Sequence, residues 1–202
     1  DVTFVKVRNH EARNTSMSHL NKFYVNFDEI RNERYDGMII TGAPVEMMEF
    51  EQVDYWDEFT EILDWVQDHV TSTIYLCWSA QAALYHYYGL KKRMLDKKMF
   101  GLFWHRVLNR KVPLVRGFDD RFLAPHSRHT EVSMEDIRAC DALTVLAESD
   151  EAGLQFGDNG QFGAQARDFL FYDGSITAFD HYIQAGVHDY IFLLDNLIKG
   201  HN

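Results

Sequence analysis

Cysteine is scarce in this chain. Its 202 residues include only Cys77 and Cys140, too few for a disulfide framework. Neither cysteine has the C-x-x-C spacing of structural zinc sites, so a zinc site is not expected. No apolar run reaches the length of a membrane span and no signal peptide is recognised. A cytoplasmic protein without repeats or low-complexity segments is therefore expected.

Positive charge is also scarce. The formal net charge is −11, which argues against general binding to nucleic acid or to anionic membranes. Residues 91–116 are the exception, because they contain nine basic residues and Asp96 as their one acid. A local basic patch on an acidic protein favours a small anionic ligand, although a solvated basic face explains the same pattern.

Hydrophobic residues make up 46% of the chain, enough for the sizeable core of a single domain. Strand patterns alternate with helix patterns, which predicts an α/β fold with a mostly parallel sheet flanked by helices. The predicted strands include residues 1–7, 38–41, 72–77, 98–108, 113–118 and 142–149. Two helices are predicted at 53–69 and 79–88, and a further one makes up most of 175–200. Two short helices are also predicted, one capped by Thr15 or Ser16 and one capped by Ser133. Residues 121–132 read as a loop entering a strand, and 153–174 as a hairpin that turns at Gly157–Gly160.

The stretch STIYLCWSAQAALYHYYG places Cys77 between a predicted strand and a predicted helix. Open α/β sheets bind ligands at this edge. A helix N-terminus lowers the pKa of a thiol and can hold an oxyanion. Small residues after Cys77 allow the tight turn of a nucleophile elbow. A buried structural cysteine is an equally common explanation for the same position, whereas Cys140 reads as structural.

Five segments of the chain resemble the homoserine O-acyltransferases of methionine biosynthesis, which include O-succinyltransferases and O-acetyltransferases. These segments cover roughly residues 1–153 and follow one another at the family's spacing: HEARNTSMSHLNKFYVNFDEI, YDGMIITGAPVEMMEFEQVDYW, LCWSAQAALYHYYG, RGFDDRFLAPHSRHTEV and LTVLAESDEAG. The resemblance implies a class I glutamine amidotransferase-like (flavodoxin-like) three-layer sandwich. It also implies ping-pong acyl transfer from acyl-coenzyme A to L-homoserine, in a homodimer without a permanently bound cofactor.

The resemblance also implies roles for individual residues. Cys77 matches the acyl-thioester cysteine, Lys98 the substrate-binding lysine, and Ser127 the substrate-site serine. Arg128 and His126, on either side of Ser127, are further candidates for the pocket. Glu46 follows TGAP plus one residue, where the family has glutamate in acetyl-coenzyme A enzymes and glycine in succinyl-coenzyme A enzymes. A carboxylate there would repel the second carboxylate of a succinyl group. Acetyl transfer is therefore expected, with succinyl transfer and transfer to serine as alternatives.

The family's base is not found. Its Gly-His-Pro-Glu-Tyr-Asp segment would fall where Phe169, Leu170 and Phe171 precede Tyr172 and Asp173. Residues 1–202 are therefore expected to be one acyltransferase domain that lacks the family's first strand and part of its C-terminal region. Three interpretations stay open. The sequence omits natural segments, His181 replaces the base, or the chain is a divergent relative that binds coenzyme A without catalysis. A glutaminase-like hydrolase is a further alternative on the same fold.

Overall fold

The computed structural model describes residues 2–7, 23–112, 115–158, 168–172 and 191–194. Ten strands in these ranges form one sheet. They are β1 Val2–Lys6, β2 Tyr24–Asn26, β3 Tyr35–Ile40, β4 Val70–Leu76, β5 Lys92–Val107, β6 Arg121–Val132, β7 Thr144–Ser149, β8 Gly153–Asp158, β9 Asp168–Tyr172 and β10 Ile191–Leu194. The helices are α1 Phe27–Ile30, α2 Trp56–His69, α3 Trp78–Tyr88 and α4 Met134–Ala139, with a 3₁₀ helix at Phe50–Gln52.

The strand order is β2-β1-β10-β3-β4-β9-β8-β7-β5-β6. Three neighbouring pairs are parallel, namely β1–β2, β3–β4 and β4–β9. The other six pairs are antiparallel, so the sheet is more mixed than the mostly parallel one predicted. The predicted α/β arrangement is nevertheless present. The strand that leads to Cys77, β4, lies between two parallel neighbours, β3 and β9.

The two longest helices follow the predicted pattern. Phe59, Ile62, Leu63 and Val66 recur every three or four residues along α2, and all four are buried. This spacing gives α2 one apolar face against the core. The first seven residues of α3 are all buried, so this helix lies inside the core. It ends where Gly89 adopts φ 68°, a left-handed conformation that glycine takes without a steric penalty.

Strands β5 and β6 form a long antiparallel hairpin that the sequence only partly predicts. Residues 121–132 are a 12-residue strand rather than a loop, because pairing with β5 supplies the hydrogen-bond partners. Pro125 lies in β6, the last of the described strands in the sheet order, and an edge strand tolerates a residue without an N–H. The predicted strand at 113–118 is wrong for its described residues. Val115 to Phe118 form a turn with Gly117 at φ 92°.

The C-terminal predictions are also corrected. Ile191–Leu194, predicted to be helical, is β10, which pairs between β1 and β3. β8 continues through Asp158, so the predicted turn does not begin at Gly157, although β8 and β9 do pair as antiparallel strands. Tyr24 begins β2 instead of extending the predicted helix, and the candidate caps Thr15 and Ser16 lie outside the described residues. These segments carry helix-compatible apolar patterns, and partners distant in sequence draw them into the sheet.

Candidate functional site

Cys77 occupies the turn between β4 and α3. Its backbone has φ 57° and ψ −122°, and it is the one non-glycine residue with positive φ in the described part of the chain. Such a conformation is unfavourable for an L-residue and persists only when the surrounding structure imposes it. Residues held this way are typical of functional sites, and a sharp strand-to-helix turn is the geometry of a nucleophile elbow. The thiol is half-buried and forms no disulfide.

Ser79 and Gly42 hold this turn against β3. The buried Ser79 hydroxyl donates to the Ile40 carbonyl at 2.6 Å and accepts from the Leu76 N–H at 3.0 Å. A Cβ atom on Gly42 would lie 3.0 Å from both the Cys77 Cβ and the Trp78 backbone nitrogen. The sequence interpretation treated Ser79 only as a small residue, whereas its hydroxyl joins the ends of the two strands.

The N-terminus of α3 opens at Cys77. The Ala80 and Gln81 N–H groups donate to the Cys77 carbonyl. The Trp78 N–H is at the first helical position, where no carbonyl one turn earlier in the same helix can accept it. This N–H group therefore directs its partial positive charge toward the turn that holds the thiol. This arrangement suits a thiolate and a developing oxyanion.

An aromatic cluster immobilises Trp78 directly after Cys77. The Trp78 ring is 2% exposed, and its centroid lies between 5.2 and 6.5 Å from four aromatic rings, those of Phe50, Tyr55, Trp56 and Phe59. Tilted and edge-to-face packing of this kind stabilises a fixed ring orientation. The backbone of the turn is consequently anchored on both sides of Cys77.

Lys98 lies in a bulge of β5, close to the part of β6 that carries Ser127. Residues 95–98 stand opposite the single residue His129, between the Met94–Thr130 and Met99–Arg128 pairs. Bulges redirect side chains and are frequent beside active sites. Ser127 pairs with Phe100, and the Lys98 Nζ lies 5.8 Å from the centroid of the Phe100 ring. The hairpin therefore brings Lys98 and Ser127 to the same region.

Glu46 lies in the connection between β3 and the 3₁₀ helix, four residues after Gly42. The residue is half-buried, and its main-chain carbonyl accepts a 2.8 Å hydrogen bond from the Lys92 Nζ. Lys92 is the first residue of β5. The same hairpin that carries Lys98 and Ser127 therefore contacts the Glu46 segment, which we define as residues 45–49.

Gln81 and Thr130 connect the Cys77 helix to β6. The Gln81 Nε2 donates to the Thr130 carbonyl at 3.2 Å, and the Thr130 Oγ1 donates to the Gln81 Oε1 at 2.9 Å. Both side chains are at most 2% exposed. This pair fixes the first turn of α3 next to the strand that carries Ser127. Sequence reasoning missed both residues; a polar glutamine in the alanine-rich part of α3 is the signal that could have revealed them.

We expect Thr130→Val to lower the free energy of unfolding by about 1–2 kcal/mol, because the buried Gln81 Oε1 loses its hydroxyl donor. Valine keeps the shape of threonine, so the effect reports the hydrogen bond. Urea denaturation followed by tryptophan fluorescence measures it. The matched control is Thr144→Val on the exposed side of β7, where we expect less than about 0.5 kcal/mol. Equal effects at the two positions would contradict the prediction.

Arg128 and His126 face the buried side of β6, opposite to Ser127. The Arg128 Nη2 donates to the Ala152 carbonyl at 2.6 Å and lies 3.5 Å from the Glu131 Oε2. The Nε2 atoms of His126 and His105 are 3.0 Å apart, and burial lowers the pKa of His105. These contacts are structural ones within the hairpin and its neighbours. A substrate role for Arg128 or for His126 remains a prediction that these contacts do not test.

His181, the candidate base, lies outside the described residues. β9 runs parallel to β4, and Tyr172 pairs with Leu76, directly before Cys77. The C-terminal end of β9 therefore lies beside the Cys77 turn. Phe169–Phe171, at the position where the family resemblance predicts a histidine-containing segment, belong to this strand.

Several basic residues of the segment 91–116 form ion pairs within the fold. Arg93 pairs with Glu131, Arg106 with Glu148, and Arg110 with Asp120. Lys97 and Lys98 are exposed at the bulge, and neither forms an ion pair within the described residues. Lys91, Lys111 and Arg116 are exposed as well, so positive charge open to a ligand is present at the bulge but is not confined to it.

Comparison with known proteins identifies the family. A model described as homoserine O-succinyltransferase matches residues 1–165. The chain belongs to the homoserine O-succinyltransferase family. The resemblance found in the sequence is thereby confirmed, and the family match extends past the segments that revealed it.

Members of the homoserine O-succinyltransferase family with curated names include close relatives. One is named homoserine O-acetyltransferase from Agathobacter rectalis and is 63% identical over 154 residues. Another of the same name, from Bacteroides fragilis, is 59% identical over 154 residues. Both alignments cover 76% of this chain and 50% of the relative. The chain thus spans about half the length of the curated relatives it matches.

The fold of this family member is similar to that of glutamine amidotransferases. A solved structure of a glutamine amidotransferase from Thermotoga maritima has a TM-score of 0.55 at 13% sequence identity, covering 90% of this chain and 80% of that one. The predicted class I glutamine amidotransferase-like fold is confirmed at this level. Among the described helices, none is long and apolar enough to cross a membrane.

Proposed function

We propose that the protein transfers an acyl group, preferably acetyl, from acyl-coenzyme A to the hydroxyl of L-homoserine. The carrying observation is Cys77, held with positive φ at a helix N-terminus in a chain of this family. The names of the relatives from Agathobacter rectalis and Bacteroides fragilis support acetyl transfer. The description of the family model favours succinyl transfer as the alternative.

In the first step the Cys77 thiolate attacks the thioester carbonyl of acyl-coenzyme A. The negative charge that develops on the carbonyl oxygen is stabilised by backbone N–H groups at the start of α3, among them that of Trp78. The carbon–sulfur bond to coenzyme A breaks, and its thiolate leaves and takes up a proton. The acyl group then remains on Cys77 as a new thioester.

In the second step the homoserine hydroxyl attacks this thioester. The hydroxyl loses its proton, the ester bond forms, and the Cys77 thiolate is regenerated. A general base at this step typically contributes about 100- to 10,000-fold, and His181 is the candidate carried over from the sequence. Lys98 and Ser127 would bind substrate at the bulge, where positive charge suits the phosphates of coenzyme A. Glu46 would disfavour an acyl group that carries a second carboxylate.

Intact-mass spectrometry tests this function. The protein is mixed with acetyl-coenzyme A or with succinyl-coenzyme A, and peptide mapping locates any adduct. We expect an acetyl adduct on Cys77 that is discharged by L-homoserine and not by L-serine. A missing adduct, or one that persists in Cys77→Ala, would sink the proposal. Coenzyme A binding without an adduct would instead indicate a non-catalytic relative, and ammonia release from glutamine would indicate a hydrolase.

A further inference from the structure

We propose that Lys92 is the positioning residue that sets acyl-donor selectivity, because it holds the Glu46 segment in place. This inference rests on the proposed function of Glu46. The Lys92 Nζ donates to the main-chain carbonyls of Glu46 and Met48. It also lies 4.5 Å from the centroid of the Phe50 ring. One ammonium group therefore contacts two main-chain carbonyls of the segment and the ring of the residue that follows it.

The ammonium group is engaged on more than one side. Two of its three N–H donors reach the carbonyls, and its Nζ lies over the Phe50 ring, which attracts a cation. Burial lowers the pKa of Lys92, while the neighbouring carboxylates of Glu46, Glu49 and Glu51 oppose that shift. A partly desolvated cation makes stronger hydrogen bonds than an exposed one, so these contacts are suited to fixing a loop.

The Glu46 segment has little other regular structure. Residues 41–49 lie between β3 and the 3₁₀ helix, and within 45–49 the described backbone hydrogen bond runs from the Met48 N–H to the Val45 carbonyl. Lys92 joins this segment to β5, whose bulge carries Lys98. A Glu46 carboxylate repels a second carboxylate selectively only if its position relative to the acyl group is fixed. The contacts of Lys92 supply that constraint.

The charge of Lys92 and its hold on the Glu46 segment predict opposite effects of Lys92→Met on acyl-donor selectivity. Removing a positive charge next to Glu46 makes the local potential more negative, which would strengthen rejection of succinyl-coenzyme A. Releasing the segment would weaken that rejection. We expect the second effect to dominate, with the ratio of acetyl to succinyl acylation rates falling about tenfold. Methionine keeps the aliphatic stem of Lys92 and removes the donors.

The neighbouring Lys91 provides the matched control. It is exposed, and Lys91→Met removes the same charge one residue away without touching the carbonyls of the Glu46 segment. Lys92→Arg is the second variant, because it keeps the charge and replaces the compact ammonium with a planar fork of different geometry. We expect Lys91→Met to retain the parent selectivity and Lys92→Arg to lose part of it.

Two measurements on the parent and the three variants decide the inference. Acylation rates of Cys77 by acetyl- and succinyl-coenzyme A give the selectivity ratio, which a general loss of stability would leave unchanged. Hydrogen exchange followed by mass spectrometry, in the absence of any acyl-coenzyme A, reports how well the backbone amides of 45–49 are protected. We expect faster exchange there in Lys92→Met than in the parent or in Lys91→Met.

Unchanged exchange at 45–49 in Lys92→Met would overturn the positioning role. Faster exchange with an unchanged or increased acetyl preference would overturn the link to selectivity. If the parent is acylated by neither donor, the proposed function fails and the selectivity claim falls with it. Hydrogen exchange then still decides whether Lys92 positions the segment, so the two failures are distinguishable.

Discussion

Cys77→Gly is expected to abolish formation of the acyl-enzyme and to give a more stable fold than Cys77→Ala. The first effect follows from loss of the thiol that would carry the acyl group. The second follows from φ 57° and ψ −122° at this position, a conformation that costs a residue with a Cβ about 1–3 kcal/mol. Glycine avoids this cost and loses part of the gain through its larger unfolded-state entropy. We expect a net difference of about 1 kcal/mol in the free energy of unfolding.

Cys140 provides the comparison within the same chain. It caps the C-terminus of α4 with φ −88°, which is unstrained for any L-residue. Cys140→Gly should therefore be less stable than Cys140→Ala in urea denaturation, the reverse of the order at position 77. Intact-mass spectrometry with acetyl-coenzyme A gives the acylation result for all four variants. The same order of stability at both positions would show that the Cys77 turn stores no strain.

Gly42→Ala is expected to damage the fold and the reactivity of Cys77 together. The added methyl group would lie 3.0 Å from the Cys77 Cβ and from the Trp78 nitrogen, and 3.2 Å from the Leu76 carbonyl oxygen. These atoms belong to the backbone of the turn or are bonded to it, so they cannot move aside as a flexible side chain would. We expect a loss of about 1–3 kcal/mol in the free energy of unfolding. Displacement of the helix N-terminus should also slow alkylation of Cys77 by iodoacetamide about tenfold.

The matched control for this variant is Gly157→Ala in β8. A Cβ there would lie 3.4 Å from its nearest neighbour, the Thr144 carbonyl oxygen, which is an ordinary van der Waals contact. We expect iodoacetamide to alkylate Cys77 in Gly157→Ala at the same rate as in the parent protein. If Gly42→Ala is destabilised but its thiol reacts at the parent rate, Gly42 supports the fold without shaping the environment of Cys77.

The placement of Cys77 could be predicted from the sequence because the signals around it are local. A strand pattern ends at Leu76, small residues follow, and Gly89 marks the end of the helix. The strand at Arg121–Val132 could not be predicted in this way. It depends on pairing with residues 15 to 40 positions earlier, and its Pro125 resembles a loop signal until its place in the sheet order is known. The same limitation explains β10, whose partners β1 and β3 are far away in sequence.

The residues of the candidate site divide in the same way, into those that the sequence predicts and those that only the folded structure reveals. Cys77, Lys98, Ser127 and Glu46 were proposed from motifs, because a motif records the type and spacing of residues. The contacts of Gln81 with Thr130, and of Lys92 with the Glu46 carbonyl, leave no such pattern. Each depends on two segments that approach each other only in the folded chain, and an isolated glutamine or lysine in a sequence does not reveal its partner.

By itself the sequence determined the α/β class and the cysteine at the start of a helix, since these depend on periodicity and short motifs, and its resemblance to known enzymes pointed to the family. Only the tertiary structure decided that Cys77 is held in a strained turn, that Lys98 lies in a bulge near Ser127, and that Lys92 holds the Glu46 segment. The physical reason is that backbone strain, strand register and buried hydrogen bonds arise when distant segments pack together. Local propensity does not encode which of those segments will meet.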